Sequence, residues 1–187
     1  MVRRGYIDLA ERQLHYRRAG DPTAPLLVLL HQTPSTSAMY EPLMAALAPR
    51  FDLLALDTPG FGQSDPLPGR FSIPAAAAQI AAAVHRLRPG PAFWFGHHTG
   101  AALALQVADD QPDRVKRLAM SGPCLLNDIL RDKLPQIAAP IPAVPDGSHL
   151  QALWLRISGK DSAVSLSSCQ RDVIAGATAG SAYPEAY

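Results

Sequence analysis

The sequence predicts an α/β protein built on a mostly parallel sheet with helices on both faces. Three observations point there. Short apolar runs alternate with longer helix-compatible stretches, the order of βαβ units. The run Leu26-Leu27-Val28-Leu29-Leu30 is continuously apolar, as strands covered on both faces are. Polar residues with chemical potential fall where strands would end: His31-Gln32, Asp57, His97-His98 and Ser121. In parallel sheets chemistry gathers at those carboxyl ends.

Along the chain, 5–9 and 12–19 alternate or carry bulky side chains around a polar break and read as a hairpin-like pair. Asp21-Pro22 punctuates, and 26–30 is the covered strand. Residues 39–48 read as a helix with Thr36 or Ser37 as its cap, and 51–56 as a further strand. Pro59-Gly60-Phe61-Gly62 is a loop; without the lysine and spacing of a P-loop it is no phosphate cradle. A helix over 74–87 is opened by Ser72 and by proline in its first turn. Then come a strand at 92–95, a helix at 99–109 and a strand at 115–120. Beyond Pro123, Pro135, Pro140, Pro142 and Pro145 break the texture. Short helical pieces are expected over 125–133 and 149–157 and a longer one over 166–175. Leu150, Trp154 and Leu155 face either a pocket or the main domain. This divides the chain into a core part, 1–123, and a helical cap segment, 124–187. No apolar strand recurs in the second part, so the sheet reads as unfinished and the 187 residues as a piece of a longer polypeptide, with 115–120 as an exposed edge.

Composition narrows the partners. Hydrophobic residues make up 48% of the 187 and charged residues 18%, with a formal net charge of +1. That is a globular balance with no charge excess to favour nucleic acid or an anionic membrane. No stretch approaches the length of a membrane span, and the basic start lacks the apolar run of a signal peptide. Cys124 and Cys169 follow no metal spacing and read as free thiols in the cytoplasm. No metal, nucleotide or other cofactor is indicated. The expected partner is a small-molecule substrate, with self-association left open.

The strongest local signal is Gly96-His97-His98-Thr99-Gly100-Ala101, between a strand and a helix of small residues. In a nucleophile elbow, Gly-x-Nuc-x-Gly, the central residue sits in a strained turn that lifts its side chain above the sheet. The spacing puts His98 at that tip. Two further segments share the pattern: His31-Gln32-Thr33-Pro34, and Asp57-Thr58-Pro59-Gly60-Phe61-Gly62-Gln63-Ser64-Asp65. With Gln111-Pro112-Asp113-Arg114-Val115, these segments resemble the α/β-hydrolase superfamily over essentially the whole chain. The resemblance is closest to the branch of haloalkane dehalogenases, epoxide hydrolases and carbon–carbon bond hydrolases.

The resemblance implies a cofactor-independent hydrolase with the α/β-hydrolase fold. Its substrate would be a small, largely apolar molecule cleaved at an ester, carbon–carbon, epoxide or halide bond. His98 would hold the nucleophile position, and backbone N–H groups of Thr99 and of Gln32 or Thr33 would form the oxyanion hole. Two departures stand against it: the family places Ser, Asp or Cys where His98 lies, and glycine where Gln32 lies. Histidine tolerates positive φ and serves as nucleophile or base. The alternative is a non-catalytic binding protein, or an inactive fragment lacking the later acid and histidine. Other candidates are weaker. Asp128 is the nearest downstream carboxylate, while His15, His85 and His149 read as surface or packing residues. His97, Asp57 and Asp65 read as structural.

Overall fold

The computed structural model describes residues 1–10, 12–125, 127–129, 132–133, 139, 141–159 and 164–179. An antiparallel hairpin, β1 (Arg3–Leu9) and β2 (Arg12–Ala19), opens the chain. Then follow β3 (Leu26–Leu30), a 3-10 turn (Ser37–Tyr40), α1 (Glu41–Leu47) and β4 (Asp52–Leu56). Next come α2 (Ile73–Leu87), β5 (Ala92–His97), α3 (Thr99–Asp110) and β6 (Val115–Ser121). Two later helices are α4 (Ser148–Ser158) and α5 (Leu166–Thr178). The sheet runs β1-β2-β4-β3-β5-β6, with β4, β3, β5 and β6 parallel and the hairpin antiparallel at one end. This is the mixed α/β sheet that the sequence predicts.

Strand alternation divides the core between two faces. Leu26, Val28, Leu30, Leu54 and Leu56 join α2 and α3 in one buried cluster through Ile80, Val84, Leu103 and Val107. Leu29, Leu53 and Ala55 turn the other way, onto Tyr40 and Met44. A strand with neighbours on both faces has no use for polar residues, which is why β3 reads as unbroken leucine and valine. β6 closes the described sheet at its far end, and Lys116, Arg117, Ala119 and Met120 are exposed.

Ser72 caps α2 as expected, its hydroxyl accepting from the Ala75 N–H. Several elements differ in extent, most by a residue or two at an end. The helix expected over 39–48 splits, because the 3-10 turn capped by Thr36 precedes α1 and Pro42 lies in the first turn of α1. β5 continues to His97, since Gly96 and His97 stay in register with Met120 and Ser121. α5 reaches Thr178, its Gly176 lying close against Pro34 and Leu153. The piece expected over 125–133 lies partly outside the described residues.

The late helices dock through α4 residues Leu153 and Ile157, both buried, while Leu150 and Leu155 face outward and Trp154 is half-buried against the core. α5 contributes Asp172, also buried. Its carboxylate accepts from the Ser35 hydroxyl at 2.8 Å and from Arg171 Nε at 3.0 Å, with Gln32 Nε2 at 3.5 Å. A buried carboxylate persists only when its oxygens are paired, and here the loop after β3 supplies part of the pairing.

Candidate active site

Three loops meet at the carboxyl ends of β3, β4 and β5. The β4 loop is the most tightly built. Asp57 is buried and accepts from the Ser37 N–H at 2.6 Å and the Gln63 N–H at 3.0 Å, with His15 Nδ1 at 2.8 Å. Burial alone would raise its pKa. The His15 contact and the two N–H donors outweigh that and hold the carboxyl below the usual carboxylate range. Ser64 closes the loop, donating to the Asp57 carbonyl and accepting from the His15 N–H. Asp65 accepts from the Gln13 N–H at 2.8 Å. His15 is therefore an interior partner of Asp57 rather than a surface residue, and both aspartates tie the loop to β2.

On the β3 loop, His31 is buried and its tautomer follows from its neighbours. The Thr58 N–H donates to Nε2 at 2.9 Å, so the ring proton sits on Nδ1 and faces the Gln32 carbonyl at 2.7 Å. Burial pushes its pKa below the ordinary 6.5, in keeping with a neutral ring. The Thr33–Pro34 peptide is cis, and the Gln32 side chain extends toward Asp172 of α5.

The β5 loop is the elbow. His98 has φ 54° and ψ −116°, directly between β5 and the first turn of α3. The two glycines are required by contact: a Cβ on Gly96 would run into the Gly100 carbonyl, and one on Gly100 into the Leu30 carbonyl. Strand, turn and helix are closer here than side chains permit. The His98 N–H donates to the Ser121 carbonyl at 2.9 Å, and His97 Nδ1 lies 3.0 Å from the same oxygen, so the ends of β5 and β6 are locked together.

His98 itself is half-buried. Its Nε2 lies 3.1 Å from Cys124 Sγ and its Nδ1 3.3 Å from Thr99 Oγ1. The Thr99 amide, the first of α3, has no carbonyl one turn below it and belongs to a positive helix end. The elbow thus gathers an imidazole, a thiol and a backbone donor. His85 is exposed on α2, His149 Nδ1 accepts from the Val144 N–H, and Asp128 is exposed. A cavity of about 470 Å³ opens nearby, between Arg4, Arg17 and Gln63 and the α5 residues Ser167, Gln170 and Arg171; His98 is not part of its lining. Among the described residues no group of three or more His, Cys, Asp or Glu side chains converges as a metal site, and no helix is long and apolar enough to cross a membrane.

Cys124 and Asp172 escape a reading by motif. Cys124 follows a strand end by three residues, and only the turn at Gly122, φ 54°, brings it back over the elbow. Asp172 meets Ser35 across 137 positions. Neither has a sequence signal beyond being a reactive or charged residue in a mostly apolar segment.

A parallel sheet with a strained, glycine-flanked tip between strand and helix defines the α/β-hydrolase class, and the chain belongs to it. Residues 25–147 match the alpha/beta hydrolase fold family. Over 110 residues, 59% of the chain, it is 34% identical to 2-(acetamidomethylene)succinate hydrolase of Mesorhizobium japonicum, of which the match covers 39%. It is also 34% identical over 128 residues to a pimeloyl-[acyl-carrier protein] methyl ester esterase of Yersinia pseudotuberculosis, covering 67% of this chain and 46% of the esterase. The matches thus span less than half the length of these relatives. In structure it is similar to Cfl2 of Burkholderia cenocepacia, with TM-score 0.79, 22% identity, and 99% of this chain and 71% of Cfl2 covered.

Proposed function

We propose that the chain carries the elbow half of a hydrolase that cleaves a small, largely apolar organic molecule without a cofactor. The observation that carries this is the backbone of His98. A non-glycine residue held at positive φ between two glycines costs of order 1–3 kcal/mol, and such strain accumulates where a side chain must be presented. The relatives add support, since the two curated ones are named as a hydrolase and an esterase. His98 acts at the tip, the amides of Thr99 and of Gln32 or Thr33 receive the developing oxyanion, and residues 124–187 form the lid. Peptide donors of this kind do not depend on which side chain they carry. The exposed free thiol of Cys124 suits a reducing compartment, the cytoplasm.

A second reading, a binding protein that has kept the pocket and lost the chemistry, is favoured by the departures at His98 and Gln32. The engagement of Gln32 with Asp172 fits it as well. Turnover decides between them. The full chain is assayed on esters, meta-cleavage-type diketones, epoxides and haloalkanes, beside His98→Ala and His98→Ser. The hydrolase reading expects turnover that His98→Ala abolishes. An inert parent with esterase activity appearing in His98→Ser would establish the second.

A further inference from the structure

The contact between Cys124 and His98 does more than fill space. Cys124 Sγ lies 3.1 Å from His98 Nε2, inside hydrogen-bonding range for sulfur. Where the thiol donates, Nε2 accepts and the ring proton sits on Nδ1; in the other tautomer the Nε2–H donates to sulfur. Nδ1 faces the Thr99 hydroxyl at 3.3 Å. With the thiol as donor the result is a nucleophile, a base and a group that orients the base, the arrangement by which activated nucleophiles are recognised. The pair is held from the backbone as well. The His98 N–H and the Ser121 carbonyl are bonded, His97 is in register with Ser121, and Gly122 turns the chain so that Cys124 returns above the tip. Of the two cysteines, Cys124 is exposed and Cys169 buried, so only Cys124 can meet a solute directly.

We infer that Cys124 is the nucleophile of this centre and His98 its general base, acting on an activated acyl group such as an ester or thioester. The inference deepens the hydrolase reading and rests on it, and it exchanges the role of the elbow tip from attacking group to proton acceptor. Burial pushes the Cys124 thiol up, so it is a poor nucleophile until a neighbouring base removes its proton. Each step balances. The thiol proton passes to His98 Nε2 as sulfur forms a bond to the acyl carbon, and the carbonyl electron pair moves onto oxygen, toward the Thr99 amide. The tetrahedral species collapses, the carbon–oxygen bond to the leaving alcohol breaks, and the imidazolium returns its proton to the departing alkoxide. Water then attacks the thioester with His98 taking one of its protons. The carbon–sulfur bond breaks, and the thiolate recovers that proton from His98 as the acid is released.

The test uses single-turnover chemistry, which needs no later part of a catalytic cycle. The full chain and its Cys124→Ser, Cys124→Ala, His98→Asn and His98→Ala variants are treated with iodoacetamide across pH and, separately, with p-nitrophenyl acetate. Adducts at Cys124 and Cys169 are counted by peptide mass spectrometry. Asparagine tolerates positive φ, so His98→Asn preserves the turn while removing the base. The expected result is an alkylation rate at Cys124 whose pH profile carries an inflection that His98→Asn removes. Near pH 6, His98→Asn should slow alkylation about tenfold, and an acetyl adduct should form on Cys124 in the parent. Alkylation indifferent to His98, or acetate found elsewhere than on Cys124, would overturn the inference. Steady-state ester turnover that survives Cys124→Ala but not His98→Ala would overturn it too, while leaving the hydrolase reading intact. Acetylation of Cys124 without turnover of any substrate in the panel would sustain the pair and remove the hydrolase reading.

Discussion

The β4 loop and the β5 elbow end strands on either side of β3, yet they use polar groups in opposite ways. Around Asp57 a buried carboxylate receives His15 and two backbone N–H groups, and the loop is fastened to β2 by Ser64 and Asp65. Around His98 the ring lies beside a thiol and a neighbouring hydroxyl, at 3.1 and 3.3 Å, and is half-buried. The carboxylate in the first loop is held by three hydrogen-bonding partners in the interior, so it keeps the mouth in shape. In the second, an imidazole lies beside a thiol and a hydroxyl at the edge of solvent. Rigidity and reactivity are assigned to separate loops, and β3, whose Leu30 carbonyl lies against Gly100 of the elbow helix, stands between them.

That contact is where the largest effect is expected. Gly100→Ala places a methyl group against the Leu30 carbonyl, and Gly96→Ala one against the Gly100 carbonyl. Backbone cannot yield as a flexible side chain does, so each should cost more than about 4 kcal/mol and prevent a folded product from accumulating. Near-normal urea midpoints would mean that strand and helix separate here at little cost. Next is Asp57→Ala, which strands His15 and two N–H donors in the interior. About 3–5 kcal/mol is expected, read from the same midpoints, because removing one member leaves its partners unpaired.

A smaller effect, from pH, separates the loops further. His31 is neutral in the fold and its pKa lies below 6.5, so on acidification the unfolded chain takes up a proton that the native chain refuses. Its contribution to stability is complete above 6.5 and is lost as pH falls below that value. Asp57 has its pKa held under 3.8, so it adds a second loss, beginning as pH drops through 3.8. Each group can contribute a slope of at most about 1.4 kcal/mol per pH unit. Urea midpoints between pH 7 and pH 3 should therefore bend downward twice. A flat profile from 7 to 5 would mean that His31 ionises in place.

The contrast also marks where sequence suffices. Covered strands announce themselves in Leu26–Leu30, and α2 in Ser72 and its alanine-rich turns, because burial and capping act on neighbouring residues. The elbow is legible for the same reason: glycine spacing is a local steric record. Asp57 with His15, 42 positions apart, depends on β4 pairing with β2. Cys124 over His98 depends on β6 lying beside β5 and on one left-handed glycine, and Asp172 on α5 folding back to Ser35. Strand order and the docking of late helices are set by surfaces remote in sequence, so pairings that rely on them have no local trace. That is why His15 reads as a packing or surface residue until its partner is seen.

The smallest effect has the opposite sign. At φ 54° His98 carries strain that glycine would not, so His98→Gly should stabilise the fold by about 1 kcal/mol after glycine's larger entropy in the unfolded chain is subtracted. In a chain of this length that raises the thermal midpoint by about 2–4 °C. His98→Ala loses the same ring contacts but keeps the unfavourable φ, so it should melt below His98→Gly. The difference between the two isolates backbone strain from the bonds to Cys124 and Thr99. No comparable gain is available around Asp57, where every truncation breaks a satisfied bond. If His98→Gly melts no higher than His98→Ala, the turn stores no strain, and the elbow would be as relaxed as the loop beside it.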